Sequence, residues 1–359
     1  MRKEMLEKVV KKVARKVAYG AVAGLIGIAG CGGVSSDWQG IGSPCAKPGW
    51  RKGYYATASA GTIFLGPQDL GTHGRTEGNG QVYTCKAGHI DIAHLRKAAD
   101  WTAFLSQQTY ENLMKGKKEF PFKLVEPSQY YTKINYPAGW DNMSVAQKQA
   151  VAREVSIDLG QYFSYIGCTW HEMLTWFGYK ITGVWSEFPS SFGWEDQFSN
   201  LLGSYCAAKS LRQGGNFNQT FTTVLNQELR NLGIQSKGVA KKASEKVRGD
   251  WWSGGAYFFV TIKGRNFDIG EDGYVTPWII PIEECRGARP VPYPAPNGDI
   301  SRYGFSMSLQ IVPRTGSGNR ISGIVNKSRI NPRSDFPTIM NYLKKDAVRR
   351  WGPNYLKKK

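Results

Sequence analysis

Two short stretches hold most of the residues able to do chemistry. One is His89-Ile90-Asp91-Ile92-Ala93-His94-Leu95-Arg96, with Asp100 beyond it; the other is Thr169-Trp170-His171-Glu172-Met173-Leu174-Thr175-Trp176. Three of the chain's four histidines fall in them. Helical spacing puts Asp91 and His94 on one face, where both reach one point. His171-Glu172 has the start of the zinc-protease pattern H-E-x-x-H, in which two imidazoles one turn apart hold the metal and Glu polarises water. Thr175 stands where the second His belongs, so this helix does not chelate by itself. A divalent metal such as zinc could still sit between helices. Asp91, His94 and His171 would be its ligands, with Glu187, Glu195 or Asp196 as a fourth, and Glu172 or Glu195 would act as general base. The competing reading is a structural polar network, with His94 and His171 hydrogen-bonded to Asp91, Glu172 or Thr175 and tying helices together.

Other groups carry weaker signals. Cys168 precedes His171 by three residues and Cys85 precedes His89 by four, but a nucleophilic thiol needs a lowered pKa and some exposure. Cys168 falls mid-helix in apolar sequence, whereas Cys85 is better placed, ahead of a helix; Cys45 is its candidate disulfide partner. No C-x-x-C pair supports a zinc ribbon or a thioredoxin motif. Arg96 and Arg265 are candidate anion-binding groups, Arg265 competing with a pairing to Asp268. The run Asp268-Ile269-Gly270-Glu271-Asp272-Gly273 lacks calcium-loop spacing and reads as a hairpin turn. Trp176, Trp185, Trp194, Trp251 and Trp252 suit either carbohydrate stacking or a core.

These groups must be positioned by helices and a few strands. Apolar spacing predicts a helix from Ile90 to about Met114 and a longer one from Ser144, with a capping box to Gln147, as far as Phe177. Further helices are expected over Trp194–Leu211, Phe217–Leu232, 237–247 and Phe336–Arg350. Phe120–Val125 and Gln129–Ile134 read as a strand pair, and 257–262, Trp278–Ile280 and Phe305–Val312 have strand texture. No internal repeat or linker separates two domains. The expectation is a single α+β domain over 61–359, a helical core with a mostly antiparallel sheet.

The N-terminus reads as an address. Seven basic residues open the chain, and an apolar, small-residue stretch from Val17 to Ile28 follows, short of the roughly 20 apolar residues of a membrane span. It ends in Ile28-Ala29-Gly30-Cys31, the order of a bacterial lipobox, which predicts a signal peptide over 1–30 and lipidation of Cys31. Residues 31–60 form a Gly/Ser-rich tether and an irregular segment. Gly32 follows the cysteine in place of the aspartate that retains lipoproteins in the inner membrane, so the outer membrane, periplasmic side, is expected. The chain has 47 Lys plus Arg against 28 Asp plus Glu, a net charge of +19. Such a surplus fits anionic envelope polymers and lipid head groups. No recognition-helix motif or aromatic–basic RNA signature accompanies it, and nucleic acid is not an expected partner.

Together these signatures resemble a bacterial lipoprotein family known as a domain of unknown function, number four-zero-five-six. The resemblance rests on Gly88–Thr102 with Asp91, His94, Arg96 and Asp100, and on Thr169–Tyr179 with His171, Glu172 and Trp176. It continues through Ser191–Gly203 with Glu195-Asp196 and Ser199-Asn200, and through Asp268-Ile269-Gly270 to Gly273–Trp278. It implies an envelope lipoprotein and supplies no activity. From the residues themselves, two functions stand: a metal-dependent hydrolase of an envelope or extracellular polymer, or a non-catalytic envelope-binding or assembly protein.

Overall fold

Strand gives way to helix at Asp91. In a computed structural model describing residues 63–70, 80–124, 126–180, 186–254 and 260–357, β1 (Gln81–Thr84) and β2 (Gly88–Asp91) form an antiparallel hairpin. Helix α1 (Ile92–Met114) starts directly from its end. The Asp91 carboxylate accepts hydrogen bonds from the Ala93 and His94 amides, satisfying donors that a helix start leaves open. The helix expected from Ile90 therefore begins two residues later, and His89 and Ile90 belong to the strand.

Helix α2 (Val145–Trp176) opens on the expected capping box: Ser144 accepts from the Gln147 amide and the Gln147 side chain accepts from the Ser144 amide. Helices α3 (Asp196–Gln213), α4 (Phe217–Asn231) and α5 (Lys237–Lys246) follow close to their expected bounds. Two glycines let the central helices approach. A Cβ on Gly203 of α3 would lie 2.0 Å from the Leu95 carbonyl oxygen of α1, and one on Gly160 of α2 would lie 2.1 Å from Ser106 Oγ. No larger residue fits either crossing without displacing a helix. The chemistry-bearing faces of α1, α2 and α3 are thereby held together.

The fold is α+β, and its sheets are small and antiparallel. Strands β3 (Glu119–Phe122) and β4 (Gln129–Asn135) confirm the predicted pair. After them come β5 (Trp252–Ser253), β6 (Thr261–Ile262), β7 (Tyr274–Val275), β8 (Tyr293–Pro294) and β9 (Ser306–Val312). The order β3-β4-β9 makes the one three-stranded sheet among the described residues. Trp278–Ile280, expected as a strand, is not one, and the backbone of its last residue is bonded to the Tyr83 side chain instead of a neighbouring strand. The Tyr83 hydroxyl donates to the Ile280 carbonyl at 2.7 Å and accepts from the Ile280 amide at 2.9 Å. Helix α6 (Gly316–Val325) was hidden by its glycines and is started by Thr315, which accepts from the Gly318 amide. Helix α7 (Pro332–Trp351) begins four residues before Phe336, with Asn331 as cap and Pro332 at the first helical position.

A second, aromatic core lies around α5, with Phe64, Tyr83, Trp194, Trp251, Trp252 and Ile280 packed on Ala240 and Ala243. Cys285 packs on it and forms a disulfide with Cys85. This corrects the expected Cys45 partner and removes Cys85 as a nucleophile; Cys45 lies outside the described residues. So do Cys31, the predicted signal and tether, 257–259 and Trp185. No helix of the described residues is long and apolar enough to cross a membrane.

Candidate functional site

His94 projects from the first turn of α1 toward the start of α3. Its Nδ1 lies 3.1 Å from Asp91 Oδ2 and 3.2 Å from Asp196 Oδ1. Each carboxylate is itself fixed by backbone. Asp91 caps α1, and Asp196 Oδ2 accepts from the Gly193 amide at 2.7 Å. This leaves His94 Nε2 without a hydrogen bond among the described residues, on a side chain 9% exposed. Burial pulls the imidazole toward neutrality, but Asp196 and Asp91 outweigh it and raise its pKa above 6.5.

Acids crowd this point. Asp196 is pushed up to about 7, chiefly by burial and also by the Glu172 and Asp91 charges, against the lowering effect of His94. Glu195 is raised well above the usual carboxylate range by burial and then by Asp196. Gln81 donates to Glu195 Oε1 at 2.8 Å. Ser199 ties strand to helix: it accepts from the Asp91 amide at 2.9 Å and donates to the Glu195 carbonyl at 2.6 Å. Glu172 of α2 accepts from the Phe192 amide at 2.8 Å. Phe192 has φ 54°, a left-handed conformation costly for an aromatic residue, and the Glu172 bond holds it there.

His171 has its own pair of acids. Nδ1 is 2.7 Å from Glu126 Oε1 and Nε2 is 3.4 Å from Glu187 Oε2. Burial and the Lys97 charge push its pKa down, but the bonds to Glu126 and Glu187 win and lift it to about 10. Lys97, one turn beyond His94, connects the two groups electrically. Burial lowers its pKa, Cys168, Glu172, Glu126 and Asp196 raise it, and the net direction is upward. Its ammonium also lies 5.5 Å from the Trp101 ring centroid.

The structure brings Asp91, His94, Glu195 and Asp196 together and places Glu172 within their electrostatic reach. His171 is not among the direct partners of His94. Among the described residues no three His, Cys, Asp or Glu side chains are grouped so as to hold a metal ion, so the expected trio Asp91, His94 and His171 is not assembled as one ligand shell. Arg96 is wholly buried, its guanidinium 4.6 Å from the Phe221 ring centroid. Arg265 is 3% exposed and donates to Ser191 Oγ at 2.8 Å and to the Phe188 carbonyl at 3.0 Å. Neither is presented to a solvent anion. Cys168 is buried, and burial lifts its thiol to about 12, which keeps it protonated and inert.

Lys97 and Glu126 escaped notice in the sequence. The 91/94/97 spacing, which puts Lys97 on the face of Asp91 and His94, is the signal for Lys97. Glu126 stands between β3 and β4, where polar sequence gives no sign of burial, and it is buried. The outcome is an α+β protein with imidazole–carboxylate clusters between three helices. Residues 60–276, well over half of the chain, match the family described as protein of unknown function (DUF4056), and the chain belongs to that family. No curated protein and no solved structure matches it.

Proposed function

We propose that this chain is an envelope-anchored hydrolase in which His94 acts as general base and then general acid on an envelope polymer. The observation that carries the reading is the asymmetry of His94. Two carboxylates from different elements grip Nδ1, while Nε2 has no hydrogen bond among the described residues. Such a grip fixes the Nδ1–H tautomer and stabilises the imidazolium, leaving Nε2 to take a proton from water and return it to the leaving group. Glu195, kept protonated by burial, is a second proton source, and Glu172 positions the Phe192–Gly193 turn whose amide holds Asp196. The lipobox at Cys31 and the basic surplus support an envelope location, as does the Cys85–Cys285 disulfide, a bond of oxidising compartments.

The expected zinc finds no grouped set of three ligands among the described residues, so no step of this scheme passes through it. A second reading, a structural clasp, is favoured by the backbone amides that Asp91, Glu172 and Asp196 accept. The test is release of soluble fragments from isolated envelope polymer by the purified chain, with and without chelator. His94→Gln is expected to slow release by about 10²–10⁴-fold at unchanged melting temperature. Unchanged release in His94→Gln, or loss of the fold with it, sinks the catalytic reading and favours the clasp.

A further inference from the structure

A cavity of about 710 Å³ lies on the other side of the segment that walls the acid cluster. Trp251, Trp278, Arg265, Asn266, Lys344 and Tyr355 line it. Its volume is that of a small-ligand site, which runs from about 300 to 1,000 Å³. The dividing wall is a single extended segment. Arg265 pairs with Gly193 in a β-bridge and the Asn266 amide donates to the Phe192 carbonyl at 2.9 Å, so the cavity is one hydrogen-bonded layer from the turn that holds Glu172 and Asp196.

The lining chemistry narrows the ligand. Trp251 and Trp278 meet edge to face at 5.2 Å, forming an aromatic corner. Most of the charged groups around it are already engaged. Asp268 accepts from the Gly270 and Thr276 amides, and Asp272 accepts from the Tyr274 amide. Glu271 lies 3.6 Å from Lys344, Lys263 donates to the Gly249 carbonyl at 2.8 Å, and Arg265 is spent on Ser191 and Phe188. Of the charged side chains in the lining, only the exposed Asp250 carboxylate has no hydrogen bond or ion pair among the described residues, so an anionic ligand finds no waiting cation. Aromatic faces framed by neutralised polar groups suit a molecule with apolar ring faces and hydroxyl edges. We propose that this cavity binds an uncharged sugar oligomer, with a ring against the partly exposed Trp278 and the buried Trp251 as the wall behind it. The inference rests on the envelope-polymer reading only in taking the polymer's sugar backbone as the natural source of that oligomer.

Calorimetric titration of the full-length His94→Gln chain with an N-acetylglucosamine tetramer tests it, since that variant separates binding from hydrolysis. Saturable binding is expected, weakened about tenfold in Trp278→Ala through loss of ring stacking. Should Trp278→Ala not fold, Tyr355→Ala removes another lining ring and is expected to weaken binding in the same direction. Absence of saturable binding, or equal binding in both folded variants, overturns the proposal; so does saturable, salt-sensitive binding of polyglutamate in place of the tetramer. Tetramer binding without any hydrolysis by the wild-type chain would sink the catalytic reading and leave the sugar cavity standing.

Discussion

His89 and His94 are five residues apart and live in opposite environments. His89, on β2, is walled by Tyr83 at 4.9 Å, Trp194 at 6.1 Å and Phe64 at 6.2 Å, and its one described partner is the Ala240 carbonyl at 3.0 Å. With no carboxylate to favour its charged form, burial pulls its pKa down to about 4. His94 is buried almost as deeply, yet two carboxylates drive it the other way. The contrast shows that burial alone does not set an imidazole's charge. A neutral ring in an aromatic box serves packing, and a ring gripped by acids on one side is prepared to exchange protons on the other.

The largest expected effect strikes the acid grip. Asp196→Asn removes one of the two charges while keeping a side chain that can accept from the Gly193 amide. Envelope-polymer hydrolysis is expected to fall by about 10²-fold or more, and the pH–rate profile should shift to a lower imidazole pKa. An unchanged profile would erase the distinction between the two rings. Next in size is His89→Ala, which opens a hole in the aromatic core and should cost about 2–5 kcal/mol in urea unfolding, with hydrolysis per folded molecule unchanged. Replacing Cys85 and Cys285 together by Ser should lower stability by about 2–4 kcal/mol. Because that bridge fastens the aromatic side, the His94 titration should not move with it.

A smaller effect tests His171. Its folded pKa, about 10, exceeds the ordinary 6.5, so the protonated ring stabilises the fold fully below pH 6.5. That contribution is lost as pH rises from 6.5 through about 10. Glu126→Gln should flatten this part of the stability–pH curve, by on the order of 1–2 kcal/mol across the window. A curve of the same slope in the variant would assign the pH dependence elsewhere.

The helices that carry the site are legible because their apolar spacing and caps are local: Ser144 with Gln147 marks one start, and strand texture marks the pair β3 and β4. Asp91, His94, Glu195 and Asp196 were legible as candidates by type and spacing. Their partnerships were not, since the Gly203–Leu95 and Gly160–Ser106 crossings that set them join residues far apart in sequence. The same holds for Cys85 with Cys285 and for Tyr83 with Ile280, where long-range contacts replace the expected Cys45 bridge and strand. Gly-rich α6 is masked in the sequence because three glycines interrupt a helix whose stability comes from packing and its Thr315 cap.

The central claim is that carboxylates, not burial, govern His94. A nitrogen-15 NMR titration of the histidine rings in the intact chain tests it most directly, with resonances assigned by His89→Gln and His94→Gln. The account predicts that His94 keeps its second proton above pH 6.5 and that His89 stays neutral down to about pH 4. Both rings titrating together near 6.5 would contradict it.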